Sequence, residues 1–263
     1  MGIGDEIMAS GHARHVHRIT GKRVKIVDVR GRTRWHDVWQ GLRYIVPPGE
    51  SASDAIRIKN GPRCRPYIKY PFNRRTGCTF SGWRAQDYVG EINLTGPECA
   101  KATSTQKKLG PFVLVEPNVP KYSNPNKQWG WDNWQALADV LGSEGIQGAQ
   151  FRLKDLPMLK GVTPIDTDSF REGAALLSLA DGLVLPEGGL HHAAGVLRVP
   201  AVVLFGGAVP VRATGYPWHT NIADQGEACG RWMRCQHCDA IWEGLAPNDV
   251  ALAFLSKLIP AQV

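Results

Sequence analysis

Residues 181–206 constrain the fold more than any other stretch, because they alternate strand, turn, helix and strand. Gly182–Pro186 is an apolar run of strand length, and a glycine-containing turn, Glu187-Gly188-Gly189, follows it. Apolar residues then recur at helical spacing until Pro200 ends the pattern: Leu190, Ala193, Ala194 and Leu197. Residues 201–205 read as a second buried strand. This order predicts a β-α-β unit of a parallel sheet.

The glycine turn of this unit is suited to binding an anion. Where a strand leads through glycines into a helix, backbone N–H groups and the positive end of the helix point into the crevice beyond the sheet. A phosphate or diphosphate fits such a turn. The pattern alone fits an α/β unit without a ligand equally well.

The rest of the C-terminal part repeats the alternation. Residues 112–116 and 149–153 read as buried strands, a third short strand is expected near Val162, and residues 169–180 read as a helix. Another helix is predicted from regularly spaced apolar residues: Trp131, Trp134, Leu137, Ala138 and Leu141. Residues 207–222 are expected to form a loop over the crevice, and residues 248–258 a closing helix. The predicted class is α/β with a doubly wound parallel sheet.

The N-terminal part is less regular. Gly2 and Gly4, followed by Asp5 and Glu6, predict a tight turn entering a helix that ends near Gly21. Residues 24–29 are a strand candidate, and residues 56–92 are expected to hold one or two strands among long loops. Residues 96–110 are polar and lysine-rich and are interpreted as a domain linker. The predicted domains are residues 1–108 and 109–263.

The balance of charged residues also differs between the N-terminal and C-terminal parts of the chain. Residues 1–110 hold 20 Lys and Arg against 9 Asp and Glu, a balance of +11, whereas residues 111–263 hold 11 against 15, a balance of −4. We expect the basic part to meet an anionic partner such as nucleic acid, a phosphorylated glycan or a membrane surface. A merely solvated basic face is the alternative.

The N-terminal residues do not have the pattern of a signal peptide, because Asp5, Glu6 and three histidines replace an apolar segment. An apolar run long enough to cross a bilayer is also lacking in the sequence. The expected location is therefore the cytoplasm.

Six cysteines leave three interpretations open. Cys229, Cys235 and Cys238 lie close in sequence with His237 among them, while Cys64, Cys78 and Cys99 are scattered. The Cys-x-x-Cys spacing is half of a zinc site, and a second close pair is lacking. Free thiols, a structural zinc ion and a disulfide all fit.

Several of these residues together resemble a known family. The order Glu187-Gly188-Gly189, His192, Ala194, Val199-Pro200 and Leu204-Phe205-Gly206 resembles the donor-binding signature of glycosyltransferase family 9, the ADP-heptose:lipopolysaccharide heptosyltransferases. That family usually has Asp and then Thr or Ser where this chain has Glu187 and Gly188.

Two further segments resemble the same family. Asn126-Lys127-Gln128-Trp129 is similar to its Lys-x-Trp element, whose lysine contacts the donor phosphate. The Gly4-Asp5 turn is similar to the turn that carries the family's catalytic aspartate, although the strand expected before it is lacking in this sequence. On residue type alone, Asp5 also suits a helix start and Lys127 a solvated loop.

The resemblance implies a GT-B architecture of two Rossmann-like domains, the N-terminal one being short. It implies inverting, metal-independent sugar transfer from a UDP- or ADP-sugar co-substrate, with no other cofactor. Asp5 would be the general base, and Lys127 with the amides of Gly188, Gly189 and Leu190 would stabilise the leaving diphosphate. Glu187 would bind sugar hydroxyls. His192 would either orient the phosphates or pack in the interior.

The sequence does not decide between several classes of acceptor. The resemblance favours a phosphorylated lipopolysaccharide or another surface glycan. A hydroxymethylated pyrimidine base in DNA would use the same chemistry, and the basic part favours it through Arg30, Arg32, Arg34 and Trp35, which combine phosphate binding with aromatic stacking. These residues fit a solvated turn and a helix with buried tryptophans as well. The third hypothesis is a non-catalytic nucleic-acid or glycan-binding protein with a degenerate donor site.

Overall fold

The computed structural model describes residues 2–73, 77–120, 122–223 and 227–258. The chain begins with helix α1 (Ile3–Thr20), which ends where Gly21 adopts a left-handed conformation at φ 69°. Glycine takes this conformation without steric penalty, so the predicted helix end at Gly21 is confirmed.

Four short strands follow α1. β1 (Val24–Val27) pairs in parallel with β2 (Ile56–Lys59), and β3 (Ile68–Asn73) pairs antiparallel with β4 (Gly77–Phe80). The strand predicted at residues 24–29 is confirmed. The described residues of the range 56–92 contain three strands where one or two were predicted, because the frequent arginines and prolines obscure the alternating pattern of the hairpin.

The segment interpreted as a linker is instead helix α2 (Gly96–Leu109). The side chain of Thr95 accepts a hydrogen bond from the amide of Glu98, and the carboxylate of Glu98 accepts one from the amide of Thr95. This capping box starts the helix although most of its residues are polar. The domain boundary predicted at residues 108/109 remains a prediction.

The C-terminal part is a six-stranded sheet in which all pairs are parallel, in the order β10-β9-β8-β5-β6-β7. Its elements, in chain order, are β5 (Val113–Val115), α3 (Trp131–Ser143), β6 (Gly148–Phe151), β7 (Thr163–Ile165), α4 (Phe170–Leu177), β8 (Gly182–Pro186), α5 (Gly189–Leu197), β9 (Ala201–Gly206), α6 (Val211–Thr214), β10 (Thr220–Ala223), α7 (Gln236–Glu243) and α8 (Pro247–Leu258). The predicted β-α-β unit and the parallel sheet are confirmed.

Residues 207–222 were predicted to be a loop, and this prediction is wrong in part. They contain the single-turn helix α6 and most of β10, which extends the sheet by pairing with β9. Two glycines and two prolines interrupt this stretch before the strand. The short strand has no clear pattern of its own and is defined by its pairing with β9. The predicted closing helix is confirmed as α8.

The order of the strands creates a switch point in the sheet. From β5 the chain continues outward to β6 and β7, then returns to β8 on the other side of β5 and continues to β9 and β10. The loops after β5 and β8 therefore leave the same edge in opposite directions, and they open a crevice between them. In open α/β sheets, ligands bind in such a crevice.

Apolar side chains cover both faces of the sheet. On β8, Leu183 and Leu185 pack into one cluster and Val184 into another on the opposite face. The first cluster also contains Ile7 of α1 and Val24 of β1. The N-terminal part is therefore packed directly onto the sheet through α1, and this packing places the start of α1 beside the crevice.

Candidate active site

Two residues from the loops beside the switch point form a buried ion pair. Lys127 ends a short 3-10 helix, Pro125–Lys127, in the loop after β5, and Glu187 directly follows β8. The ammonium of Lys127 donates to Oε2 of Glu187, and the two side chains are 15% and 5% exposed. Burial alone would raise the pKa of Glu187, but the ammonium and the neighbouring histidines outweigh burial and hold that pKa below its usual value.

The start of helix α5 lies next to this ion pair. The first amides of a helix have no carbonyl partner within it, and here they include those of Gly189 and Leu190 after the N-cap residue Gly188. The positive helix end and an ammonium therefore lie at the same edge of the sheet. This combination suits a group with two phosphates.

His192 lies beneath the turn, only 2% exposed. Its Nδ1 is 2.9 Å from the hydroxyl of Tyr216, and its Nε2 is 3.8 Å from Oε1 of Glu187. A side chain at Gly195 would collide with the ring of Tyr216, so the glycine permits this contact. His192 is therefore buried between Tyr216 and Glu187. Both roles predicted for it, orienting the phosphates and packing in the interior, remain predictions.

Glu187, His191 and His192 are close enough to hold a metal ion, since their ligand atoms all lie within 4.8 Å of one another. The ammonium of Lys127 already binds the carboxylate, however, and its charge would repel a divalent cation at this distance. The arrangement favours an ammonium over a metal ion here.

Asp5 lies in the first turn of α1 and is 8% exposed. Its Oδ2 accepts a hydrogen bond from the amide of Gly2 at 3.0 Å. Its Oδ1 accepts one from the hydroxyl of Tyr67 and lies 2.9 Å from Nε of Arg65. Burial raises the pKa of Tyr67 and the carboxylate raises it further, so the phenol stays protonated and donates to Asp5.

The first turns of α1 and α5 are in direct contact. A Cβ atom placed on Gly4 would lie 2.5 Å from Cδ2 of His192 and 3.5 Å from the carbonyl oxygen of Gly188. A Cβ atom on Gly189 would lie 3.3 Å from Cβ of Ile3. Glycines on both sides therefore allow the close approach, which brings the turn of Asp5 to the turn after Glu187. The roles assigned to these residues remain predictions.

The four residues predicted to bind the acceptor divide into two pairs. Arg30 is exposed, and Arg32 is 73% exposed in its ion pair with Asp28. Arg34 instead pairs with the buried carboxylate of Glu6 and donates to the carbonyl oxygen of Asn60 at 2.6 Å.

Trp35 is half-buried and packs against the core. Only the first pair, Arg30 and Arg32, is thus presented to solvent.

Sequence patterns did not indicate Arg65, Tyr67, Tyr216 or Glu116. The first two lie in a stretch without periodicity, and their contacts with Asp5 span about 60 residues.

Glu116 follows β5 in the crevice, is 2% exposed, and accepts from the amides of Asn118 at 3.1 Å and Phe151 at 3.2 Å. Burial nevertheless raises the pKa of Glu116 to about 7. The only sequence signal for it was an acidic residue at the end of a buried strand.

Three of the cysteines lie together beyond the crevice. Sγ of Cys229 is 3.9 Å from Sγ of Cys235 and 3.5 Å from Sγ of Cys238. Among the described residues, these three cysteines, Cys64 and Cys99 are not joined in disulfides. The side chain of Cys78 lies outside the described residues.

Within the described residues, no helix is long and apolar enough to cross a membrane. The predicted cytoplasmic location is not tested by this observation.

Comparison with known proteins links the chain to glycosyltransferases through its fold. No family profile matches the chain, and no curated protein matches it either. A family 9 glycosyltransferase from Veillonella parvula superimposes with a TM-score of 0.67 and 14% identity, over 98% of this chain and 94% of that one. The iron-containing dodecameric glycosyltransferase TibC of enterotoxigenic E. coli superimposes with a TM-score of 0.63 and 14% identity, over 98% and 74%.

Other superpositions cover a smaller share of the matched protein. TibC in complex with ADP-D-β-D-heptose gives a TM-score of 0.50 at 14% identity over 81% of this chain and 62% of that one. The chain spans 53% of the length of E. coli ADP-heptose lipopolysaccharide heptosyltransferase II, with 64% of its own residues, 16% identity and a TM-score of 0.49. The superpositions with TM-scores of 0.67 and 0.63 show that the chain has the GT-B-type α/β fold of family 9 glycosyltransferases. The predicted resemblance is confirmed at the level of fold.

Proposed function

We propose that the chain is an inverting glycosyltransferase that moves a sugar from a nucleoside-diphosphate sugar to a hydroxyl of an anionic acceptor. The observation that carries the proposal is the contact between the turn of Asp5 and the turn after Glu187, at the switch point of a sheet shared with glycosyltransferases. A carboxylate on one side of a crevice and phosphate-binding groups on the other are what this reaction requires.

The acceptor oxygen attacks the anomeric carbon while the bond from that carbon to the diphosphate oxygen breaks. The electron pair of the broken bond leaves on the diphosphate, and the acceptor proton passes to Asp5. One displacement of this kind inverts the configuration at the anomeric carbon.

Lys127 and the amides at the start of α5 stabilise the charge on the leaving diphosphate, so the transfer needs no metal ion at the reacting centre. Donor binding must then redirect the ammonium of Lys127, in whole or in part, from Glu187 to the phosphates. The released carboxylate of Glu187 can accept hydrogen bonds from sugar hydroxyls. The ion pair thus keeps both groups in place for the donor.

An ADP-sugar is the preferred donor, because the structurally similar TibC is bound to ADP-D-β-D-heptose. The preferred acceptor is a phosphorylated lipopolysaccharide-type or surface glycan. Incubation of the protein with ADP-, UDP- and GDP-sugars, each with lipopolysaccharide or hydroxymethylated DNA, tests both choices by mass spectrometry. Transfer or slow donor hydrolysis is expected. If every donor stays intact, the chain is a non-catalytic binding protein instead.

DNA carrying hydroxymethylated pyrimidines is the second candidate acceptor, favoured by the +11 balance of residues 1–110 and by the exposure of Arg30 and Arg32. If these arginines contact DNA phosphates, replacing both with alanine should reduce the salt dependence of binding, with the slope of log K against log salt falling by about 0.9 for each lost contact. Titration by fluorescence anisotropy measures this slope. Absence of duplex binding at low salt would eliminate the DNA candidate.

A further inference from the structure

The loop of residues 229–238 contains four side chains that match the ligands of a structural metal centre. The ligand atoms of Cys229, His237 and Cys238 lie within 4.8 Å of one another, and Cys235 Sγ is 3.9 Å from Cys229 Sγ. Three thiolates and one imidazole are an established ligand set for Zn²⁺ in structural sites.

Three distances among the four ligands fit tetrahedral coordination. With metal–sulfur bonds of about 2.3 Å, sulfur atoms around a tetrahedral ion lie about 3.8 Å apart. The observed sulfur–sulfur distances from Cys229 are 3.5 Å and 3.9 Å, and Nδ1 of His237 is 3.9 Å from Sγ of Cys238. Small side-chain rotations would complete the coordination.

The backbone around these residues is held in place from two directions. Gly207, directly after β9, accepts from the amide of Cys229 at 2.8 Å through its carbonyl oxygen, and a Cβ atom on Gly207 would lie only 2.8 Å from Nδ1 of His237. Cys235 precedes helix α7 as its N-cap residue, and its carbonyl oxygen accepts from the amide of Cys238 at 3.0 Å. The four ligands therefore converge from a loop and a helix start, as in metal sites of the Cys-x-x-Cys type.

The same loop is bonded to the segment that carries Lys127. Oδ1 of Asn126 accepts from the amide of Cys235 at 3.1 Å, and its Nδ2 donates to the carbonyl oxygens of Arg231 and Met233, each at 2.9 Å. Asn126 is 2% exposed and directly precedes Lys127. Asn124, which is 4% exposed, donates to the same carbonyl oxygen of Arg231 at 2.7 Å. Two buried side chains therefore connect the cysteine loop to the donor side of the crevice.

The loop also contacts the side of the crevice that carries Asp5. The guanidinium carbon of Arg65 lies over the ring of Trp232, 5.6 Å from its centroid. Arg65 is the residue whose Nε lies 2.9 Å from Asp5. One loop therefore contacts the partner of Asp5 and the neighbour of Lys127.

We infer that Cys229, Cys235, Cys238 and His237 bind one thiophilic divalent ion, with Zn²⁺ the preferred species, and that this ion fixes the loop that positions Lys127 and Arg65. The ion is structural and takes no part in the sugar transfer. The metal site stands on the geometry of the loop alone, whereas its effect on donor binding rests on the proposed function.

The test begins with elemental analysis of the full-length protein purified without chelator. We expect about one equivalent of zinc per chain in the wild type and in Cys99→Ser, a matched control whose thiol is exposed on α2. Cys238→Ser should lose the metal. If Cys238→Ser does not fold, Cys229→Ser, at a half-buried position, and chelator-stripped wild type provide the same comparison.

Bound iron in place of zinc would support the site and overturn the preference for Zn²⁺. A wild type that carries no more metal than Cys238→Ser, with its thiols titratable or joined in a disulfide detected by intact mass, would overturn the site.

The coupling to donor binding is measured by calorimetry with ADP on stripped and reloaded protein. We expect stripping to weaken ADP binding severalfold and reloading to restore it, with the reloaded Cys238→Ser variant showing no recovery. Equal affinities in the stripped and reloaded protein would overturn the coupling. If the loaded wild type binds no nucleoside diphosphate at all, the proposed function fails while the metal measurement stands.

Discussion

The two sides of the crevice are built differently. On the donor side, Glu187 directly follows β8 and Lys127 lies in the loop after the neighbouring strand β5. On the other side, Asp5 lies at the start of α1, but its partners Arg65 and Tyr67 come from a stretch between β2 and β3 that has no regular structure of its own.

This difference has a consequence for function. The loops that follow adjacent parallel strands lie at the same edge of the sheet, regardless of their sequence. The positions of Lys127 and Glu187 therefore follow from the order of the strands. Asp5 depends instead on individual hydrogen bonds and an ion pair from distant parts of the chain. Substitutions on the two sides should therefore separate sugar transfer from nucleotide binding.

The largest expected effect is on the side of Asp5. Asp5→Asn retains the size of the side chain and removes the proton acceptor, so transfer should fall by about 10²–10⁴-fold while ADP binding is retained. Steady-state kinetics and calorimetry measure the two quantities. Asp54→Asn, at an exposed position of the same part, is the control. Transfer above about a tenth of wild type in Asp5→Asn would remove the general-base role.

A smaller effect, on nucleotide binding, is expected on the donor side. Lys127→Ala removes a charged hydrogen-bond donor worth about 1.5–3 kcal/mol, so ADP binding should weaken by about ten- to hundredfold. Calorimetry measures the change, and Lys154→Ala is the exposed control. The variant also leaves Glu187 without its ammonium, so its thermal stability must be measured in parallel. Unchanged affinity would exclude Lys127 from the site.

The smallest effect concerns the pH dependence of stability. The pKa of Glu116 is about 7 in the folded chain, higher than the value of about 4.3 expected in an unfolded chain. Its contribution to stability is therefore fully present below the unfolded value and is lost as the pH rises through 7. Glu116→Gln should flatten the decline in the free energy of unfolding between pH 5 and pH 8.

Denaturant titrations at several pH values measure this difference in slope. The side-chain amide in Glu116→Gln has one acceptor oxygen in place of two, so the variant loses one of the bonds from Asn118 and Phe151 at every pH. The slope with pH, rather than the absolute stability, is thus the decisive quantity. Parallel profiles for the two proteins would show that Glu116 does not titrate in this range.

Local sequence patterns were sufficient to predict the elements on the donor side of the crevice. Apolar runs, helical spacing and glycine turns predicted β8, α5 and β9 with near-correct bounds, because each depends on residues a few positions apart. They also placed Glu187 and the start of α5 at one edge of the sheet. The pattern failed for α2, which is mostly polar, and for β10, which is short and follows a loop that contains glycine and proline. Capping and pairing rather than burial define these elements.

The contacts that assemble the site could not be inferred in the same way. Tyr67 and Asp5 are 62 residues apart, and Cys235 and Asn126 are 109 residues apart. Nothing in the sequence around either residue identifies its partner, because the distance between them depends on how α1, the sheet and the cysteine loop pack together. The sequence was therefore sufficient to identify candidate catalytic and binding residues by type, whereas long-range packing determines which of them form one site.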